Sequence, residues 1–372
     1  MAKKLIALTV VVIIAVIIVL SYYILYYHSK SSTQDLGSSK SITKTLEITL
    51  QGAGATFVYP QIAEWIKLFS SSHGIQVNYQ SVGSGAGLSM FFQNITDFAC
   101  SDPPLSKDTW EKHRGNVLQV PWLAGAVVVV YNIPELPKNI NLKLDGVALA
   151  KIYKGEIVYW SDPYIKSLNP DLMDRLPDKE IIPVYRTDSS GTTELFTTFL
   201  YKSSNGIWPK ELVGKTVNWP ITGRGIGGKG NEGVTQATIQ TSYSIGYVEW
   251  SYAIANNLSI AMIKNAEGLF VQPSERSIMS ALENVRLPPS PLDDFSNIIY
   301  EVIYASGSES YPIAAVTHIV LWRRYDGLKA LALKEFLTWI ANEGYEHIVP
   351  GYIAPPQSFR KLLIEAANTI TS

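Results

Sequence analysis

Residues 186–193 read Arg-Thr-Asp-Ser-Ser-Gly-Thr-Thr, a charged, hydroxyl-rich turn between an apolar run (Ile181-Ile182-Pro183-Val184-Tyr185) and a helix-periodic set, Leu195, Phe196, Phe199 and Leu200. A helix N-terminus leaves backbone N–H groups unpaired and carries partial positive charge, so it can seat an oxyanion. Arg186 adds a planar, permanently charged fork of matching geometry. In isolation, a capped helix beside a surface arginine would read the same way. Two further junctions share the grammar. Gly52-Ala53-Gly54-Ala55-Thr56-Phe57 follows strand-like 46–50 and precedes Ile62, Trp65, Ile66 and Phe69, and Gly83-Ser84-Gly85-Ala86-Gly87 follows Val77-Asn78-Tyr79 and precedes Leu88, Met90, Phe91 and Phe92. Each is strand, small-residue turn, helix. Neither carries Lys or Arg, so three converging junctions would form a dipolar cage with Arg186 as its main charge.

Asp102 adds an acid to this set, just past the apolar Phe98-Ala99-Cys100. Alone it would be a turn residue or helix cap. Beside an anion it has a specific use: an oxyanion that retains a proton, as phosphate does at neutral pH, can donate to a carboxylate, whereas fully ionised sulfate would be repelled. Sites built to pair a ligand hydroxyl can reject the analogue lacking it by roughly 10⁴ or more.

The elements that must position these residues alternate strand and helix from about residue 46: a strand at 46–50, a helix to about 71, a strand at 75–79, a helix to about 94, then Phe98–Cys100. This pattern predicts an open α/β sheet with ligands at the strands' carboxyl ends. Apolar runs within 117–132 and 314–322 are each long enough to carry the chain between two domains, which could then open and close about a hinge. A middle α/β unit would hold the Arg186 loop and Ile245-Gly246-Tyr247-Val248-Glu249. Two amphipathic helices close the chain, one with Leu331, Phe336, Leu337 and Ile340, the other with Leu362, Leu363 and Ala366.

The 372 residues suffice for two cores, and 47% hydrophobic with 17% charged residues excludes global disorder. The net charge of −1 argues against a nucleic-acid binder. Five of the lysines and one aspartate fall in 1–45, leaving a net −5 for the remainder, so any anion binding must be local. One cysteine, Cys100, and five scattered histidines offer no disulfide, no Cys-based zinc site and no metal spacing. Residues 5–27 carry no charge and exceed the roughly 20 needed to span a bilayer. With tyrosines at 22, 23, 26 and 27 in place of a small-residue cleavage site, they read as an uncleaved anchor. Ser-, Thr- and Lys-rich 28–45 reads as a flexible tether.

Other motifs give less. Gly223-Arg224-Gly225-Ile226-Gly227-Gly228-Lys229-Gly230 matches two nucleotide signatures formally. It has a poor preceding strand, no helix opening inside it, and Gly230 where magnesium needs a hydroxyl, so it reads as a flexible, basic cleft-edge loop. No loop serine sits in Gly-x-Ser-x-Gly.

Six segments taken in order (52–57, 83–87, Phe98-Ala99-Cys100-Ser101-Asp102-Pro103-Pro104-Leu105, 186–193, Gly227-Gly228-Lys229-Gly230-Asn231-Glu232-Gly233 and 245–249) resemble the phosphate-binding proteins of ABC-type phosphate importers. The resemblance implies a two-lobed periplasmic-binding-protein-like fold of type II: two α/β lobes, 46–121 with 316–372 and 122–315, joined by a two-strand hinge, here behind an N-terminal transmembrane helix (1–27) and linker (28–45). It implies that Thr56 and Phe57 offer backbone N–H groups and a hydroxyl, that Ser84 donates, and that Asp102 accepts the phosphate proton. Arg186 would pair with phosphate, held by Asp188, while Ser190, Gly191 and Thr192 complete the cage. It further implies a monomer at the cell membrane, its binding domain outside, handing inorganic phosphate to membrane permease subunits with no chemical step, no cofactor, no metal and no nucleic acid. The chain departs from the family pattern at Tyr185, where many members have a second Arg, at Ser189, where many have Gly, and at Gly223-Arg224, in a loop usually shorter. The alternatives are a receptor for sulfate, molybdate or tungstate, and a surface enzyme cleaving phosphate esters.

Overall fold

Two glycines allow the sheet to pack where it does. A Cβ on Gly52 would enter the Phe98 ring, and one on Gly54, at φ 145°, would enter the backbone of Cys100. The stretch read as a loop after residue 50 is therefore the second half of a strand, Thr49–Gly54, which begins three residues later than periodicity suggests. The computed structural model describes residues 48–372 apart from 139, 222 and 284, so the expected anchor (1–27) and linker (28–45) lie outside the described residues. Among the described residues no helix is long and apolar enough to cross a membrane.

The strands of these residues are β1 (Thr49–Gly54), β2 (Gln76–Ser81), β3 (Phe98–Ser101), β4 (Val117–Asn132), β5 (Lys143–Leu144), β6 (Ile182–Arg186), β7 (Ile226–Gly228), β8 (Ser244–Glu249), β9 (Ser259–Ile260), β10 (Met262–Lys264), β11 (Phe270–Val271) and β12 (Ala314–Trp322). One sheet runs β2-β1-β3-β12-β4-β8-β6-β7, with β9 also on β4, and a small second sheet is β11-β10-β5. The order β2-β1-β3 is all parallel, and β7-β6-β8 repeats it. In each trio a helix follows the first strand and another precedes the third: Tyr59–His73 and Ser84–Phe92 in one, Gly191–Ser203 and Gly230–Gln240 in the other. Each trio therefore has a topological switch point at the carboxyl end of its central strand, β1 or β6, where open α/β sheets bind ligands.

β4 joins the trios. Its residues 117–126 pair antiparallel with β12 and its residues 127–132 pair antiparallel with β8. Every residue of β4 but Asn132 is buried, which is why it reads as an unbroken apolar run. Aromatic side chains fill the core on either side. Trp65 packs on Trp122 and Tyr345, and Phe196 stacks on Tyr247. The helix Gly327–Asn342 buries Leu333, Phe336, Leu337 and Ile340, but Leu331, expected on that face, is 61% exposed. Two helical positions from Leu333 is about 200° around the axis, so both cannot face the core. Cys100 is buried.

Gly54→Ala should lower stability by roughly 2–4 kcal/mol, because it adds a positive-φ penalty to an overlap with backbone that cannot yield. A urea midpoint equal to wild type would contradict this packing.

Candidate functional site

The segments singled out in the sequence meet at the strands' carboxyl ends. After β1, Thr56 is 3% exposed, and the Thr56 carbonyl accepts from the Tyr252 hydroxyl at 2.8 Å. The neighbouring Phe57 ring is buried beside Tyr352, whose hydroxyl donates to the Phe57 carbonyl. Only the backbone of Phe57 is thus on offer to a ligand. After β2, Gly83 at φ 92° starts the helix Ser84–Phe92 with no side-chain cap. A Cβ there would stand 2.5 Å from Asp188 Oδ2, and the Gly85 N–H donates to the Ser189 carbonyl at 3.0 Å. After β3, the Asp102 N–H donates to Ser84 Oγ at 3.3 Å.

After β6, the guanidinium of Arg186 is clamped by Asp188. Its Nε donates to Oδ1 at 2.8 Å and its Nη2 to Oδ2 at 2.5 Å, a paired fork on a side chain 1% exposed. Burial alone would raise the Asp188 pKa, but the hydrogen bonds and charge of Arg186 overcome it and hold the carboxyl below its ordinary value. The Arg186 N–H donates to the Tyr247 hydroxyl, itself bonded to Thr193 Oγ1. Ser190 caps the helix Gly191–Ser203 by accepting from the Thr193 N–H at 3.1 Å, which leaves its hydroxyl hydrogen for another acceptor. Gly191 packs so tightly that a Cβ would strike Ser84 Oγ, Asp102 Oδ2 and Pro103. Ser84, Asp102, Arg186, Asp188, Ser190, Gly191 and Thr192 therefore form one constellation, which Thr56 joins through Asn231.

A hydrogen-bonded chain crosses it. Arg186 Nη1 donates to Thr192 Oγ1, and Thr192 Oγ1 donates to Asp102 Oδ2, each at 3.3 Å. The other oxygen, Asp102 Oδ1, is buried and has no hydrogen-bond partner. Burial pushes the Asp102 carboxyl up to about 7, against the downward pull of Arg186 and Thr192. Behind it, buried His318 donates from Nδ1 to the Asp102 carbonyl at 3.1 Å, and burial holds its imidazole down to about 4. The site thus presents a fixed cation, helix N-termini, hydroxyls and one carboxyl oxygen lacking a hydrogen-bond partner. That arrangement suits a small oxyanion bearing a proton. Among the described residues no group of His, Cys, Asp or Glu is placed to hold a metal ion.

Two contributors went unassigned in the sequence. The Gly230 N–H donates to Asp188 Oδ1 at 3.0 Å, and Asn231 donates twice to Thr56 Oγ1. Of the stretch 223–230, read as a flexible loop, residues 223 and 224 are a turn, but Ile226–Gly228 form edge strand β7, which runs into the helix Gly230–Gln240. Three strand residues, two of them glycine, are too short a signal for periodicity. The strand–glycine–helix grammar of the other junctions was nonetheless present. Arg224, in the same stretch, donates to the Gly155 carbonyl at 3.2 Å. Of the departures from the family pattern, Tyr185 packs on Trp219, and Ser189 packs against Gly85.

A model of the PBP superfamily domain matches residues 29–343. A phosphate-binding protein PstS of Methanocaldococcus jannaschii is 40% identical over 88% of this chain and 87% of its own. A protein of the same name from Haemophilus influenzae is 39% identical over 80% of this chain and 86% of its own. Among solved structures, a phosphate-binding protein from Stenotrophomonas maltophilia superposes with a TM-score of 0.63 at 20% identity, covering 85% of this chain and 93% of that one. A high-affinity periplasmic phosphate-binding protein bound with phosphate gives 0.65 at 20%, covering 84% and 92%. At such identities the superpositions speak to the two-lobed α/β fold alone.

The Asp102 environment makes a signed prediction for the ligand-free protein. Its folded pKa of about 7 lies above the ordinary 3.8, so the folded state binds the proton more tightly. This contribution to stability is full below about pH 4 and is lost as pH rises to about 7. The thermal midpoint of Asp102→Asn, relative to wild type, should therefore climb between pH 4.5 and 7.5. A pH-independent difference would contradict the assignment.

Proposed function

The chain belongs to the PBP superfamily and, within it, to the PstS phosphate-binding proteins; from that membership we propose that it captures inorganic phosphate and delivers it to the membrane permease subunits of an ABC importer. One observation carries the choice of ligand: Asp102 Oδ1 is a buried oxygen with no hydrogen-bond partner, in a carboxyl group linked through Thr192 to Arg186. An unpaired buried acceptor costs about 1–3 kcal/mol. A phosphate hydroxyl removes that penalty, whereas sulfate adds a second lone-pair oxygen against it.

In this reading Arg186, oriented by Asp188, pairs with two phosphate oxygens. Thr56, Ser84 and Ser190 supply hydroxyls, Thr192 keeps its hydroxyl hydrogen on Asp102, and Thr56, Phe57, Ser84, Gly191 and Thr192 supply backbone N–H groups at the helix starts. Residues 46–121 with 316–372 act as one lobe and 122–315 as the other, moving about β4 and β12. The Gly85–Ser189 contact and the close seat of Gly191 on Ser84 and Asp102 fit the closed arrangement. Closure around the ion is the whole mechanism, and no bond is made or broken. The apolar 5–27 stretch tethers a monomeric receptor outside the cell beside its transporter, raising effective concentration without new contacts.

The test is calorimetric titration of the full chain in detergent, stripped of ligand, with phosphate in the presence of excess sulfate. A micromolar or tighter Kd, roughly −8 kcal/mol or better, is expected. Arg186→Ala should weaken phosphate by roughly 2–5 kcal/mol, because the buried anion loses its charge partner. Asp102→Asn should erode phosphate-over-sulfate selectivity more than affinity, since an amide can donate to sulfate. Heat from sulfate or molybdate but none from phosphate would overturn the ligand, and phosphate release from a model ester would favour an enzyme.

A further inference from the structure

We infer that Asn231 is a positioning residue that forces the Thr56 hydroxyl to act only as a hydrogen-bond donor toward the bound anion; the inference rests on the phosphate-binding role proposed above. Asn231 is fully buried at the second position of the helix Gly230–Gln240. Its backbone N–H reaches Thr56 Oγ1 at 3.2 Å and its side-chain Nδ2 reaches the same oxygen at 2.9 Å. Its Oδ1 accepts the Glu249 N–H at 3.0 Å, and because that partner can only donate, the amide cannot turn around.

A threonine hydroxyl has two acceptor lone pairs and one hydrogen. Two donors from Asn231 fill both lone pairs, so the hydrogen must point elsewhere. The orientation is set before the ligand arrives, and the hydroxyl has nothing left with which to accept. Thr56 is thereby matched to an unprotonated oxygen of the anion, while Asp102 Oδ1 is the counterpart for the protonated one. The two positions together fix which anion oxygen carries the hydrogen. Asn231 follows β7 and Thr56 follows β1, strands of opposite trios, so this orientation exists only while the trios are held together.

The test is a double-mutant cycle on phosphate Kd by calorimetry, using the full chain in detergent with circular dichroism and thermal midpoints recorded for each variant. Asn231→Ala should weaken phosphate about tenfold, and Thr56→Val at least as much. In the Thr56→Val background, Asn231→Ala should add little, because no hydroxyl remains to orient. In the conservative Thr56→Ser background the Asn231→Ala penalty should return, whereas a merely structural role would give the same penalty in the wild-type, Val and Ser backgrounds alike. If Asn231→Ala does not fold, Asn231→Asp replaces it. The aspartate keeps an acceptor for the Glu249 N–H while its second oxygen takes the hydroxyl hydrogen, and the cycle cancels its charge. Additive penalties, or unchanged affinity in Asn231→Ala, would overturn this role while leaving phosphate binding intact. Wild type that fails to bind phosphate would overturn both.

Discussion

The Arg186 side chain is 1% exposed, and a guanidinium that far from water must be answered from within the protein. Asp188 answers it through two parallel hydrogen bonds, and most of the local architecture keeps that pair in place. The Gly230 N–H holds Asp188 from the next strand's end, and the Tyr247 hydroxyl accepts the Arg186 N–H from β8. Gly83 must lack a side chain because Asp188 occupies the space. The pairing also sets the electrostatics. Arg186 and Asp188 nearly cancel, so ionised Asp102 would leave the cage with a negative balance. Attraction for an anion then falls to oriented N–H groups and hydroxyls, and to the guanidinium hydrogens that Asp188 does not use. A cage of this kind favours a ligand that brings its own proton.

The same geometry couples recognition to the joining of the two strand trios. Contacts that cross between them include Gly85 to Ser189, Gly191 against Ser84 and Asp102, Thr192 to Asp102, and Asn231 to Thr56. Each involves a residue of the cage or its immediate neighbour. In the reading proposed above, a ligand that fills the cage therefore also holds the trios together. β4 is suited to link them, since one buried strand pairs with β12 along its first ten residues and with β8 along its last six.

Much of this was legible in the residues. Strand–glycine–helix junctions at Thr56, Ser84 and Arg186 announce themselves because φ > 0 and close backbone approach demand glycine, and because helix starts demand hydroxyls. The apolar runs within 117–132 and 314–322 fall in β4 and β12. The remaining features are set by contacts that no local sequence pattern encodes. Gly52 and Gly54 look like a loop, yet their missing side chains admit the Phe98 ring and the Cys100 backbone, contacts made by residues more than forty positions away. β7 is too short for any periodicity, so Gly230 and Asn231 received no role. His318 supports Asp102 from 216 positions along the chain, through a single bond to a carbonyl that no local pattern encodes.

The central claim is that the unpaired oxygen of Asp102 waits for a hydrogen carried by the anion. A crystal structure of the phosphate complex tests it most directly, through the distance from Asp102 Oδ1 to the nearest phosphate oxygen. One oxygen is expected at roughly 2.5–2.7 Å, the length of a charge-assisted O–H···O⁻ bond, with other oxygens on Arg186. A bound phosphate with no oxygen within hydrogen-bonding reach of Asp102 Oδ1 would contradict it.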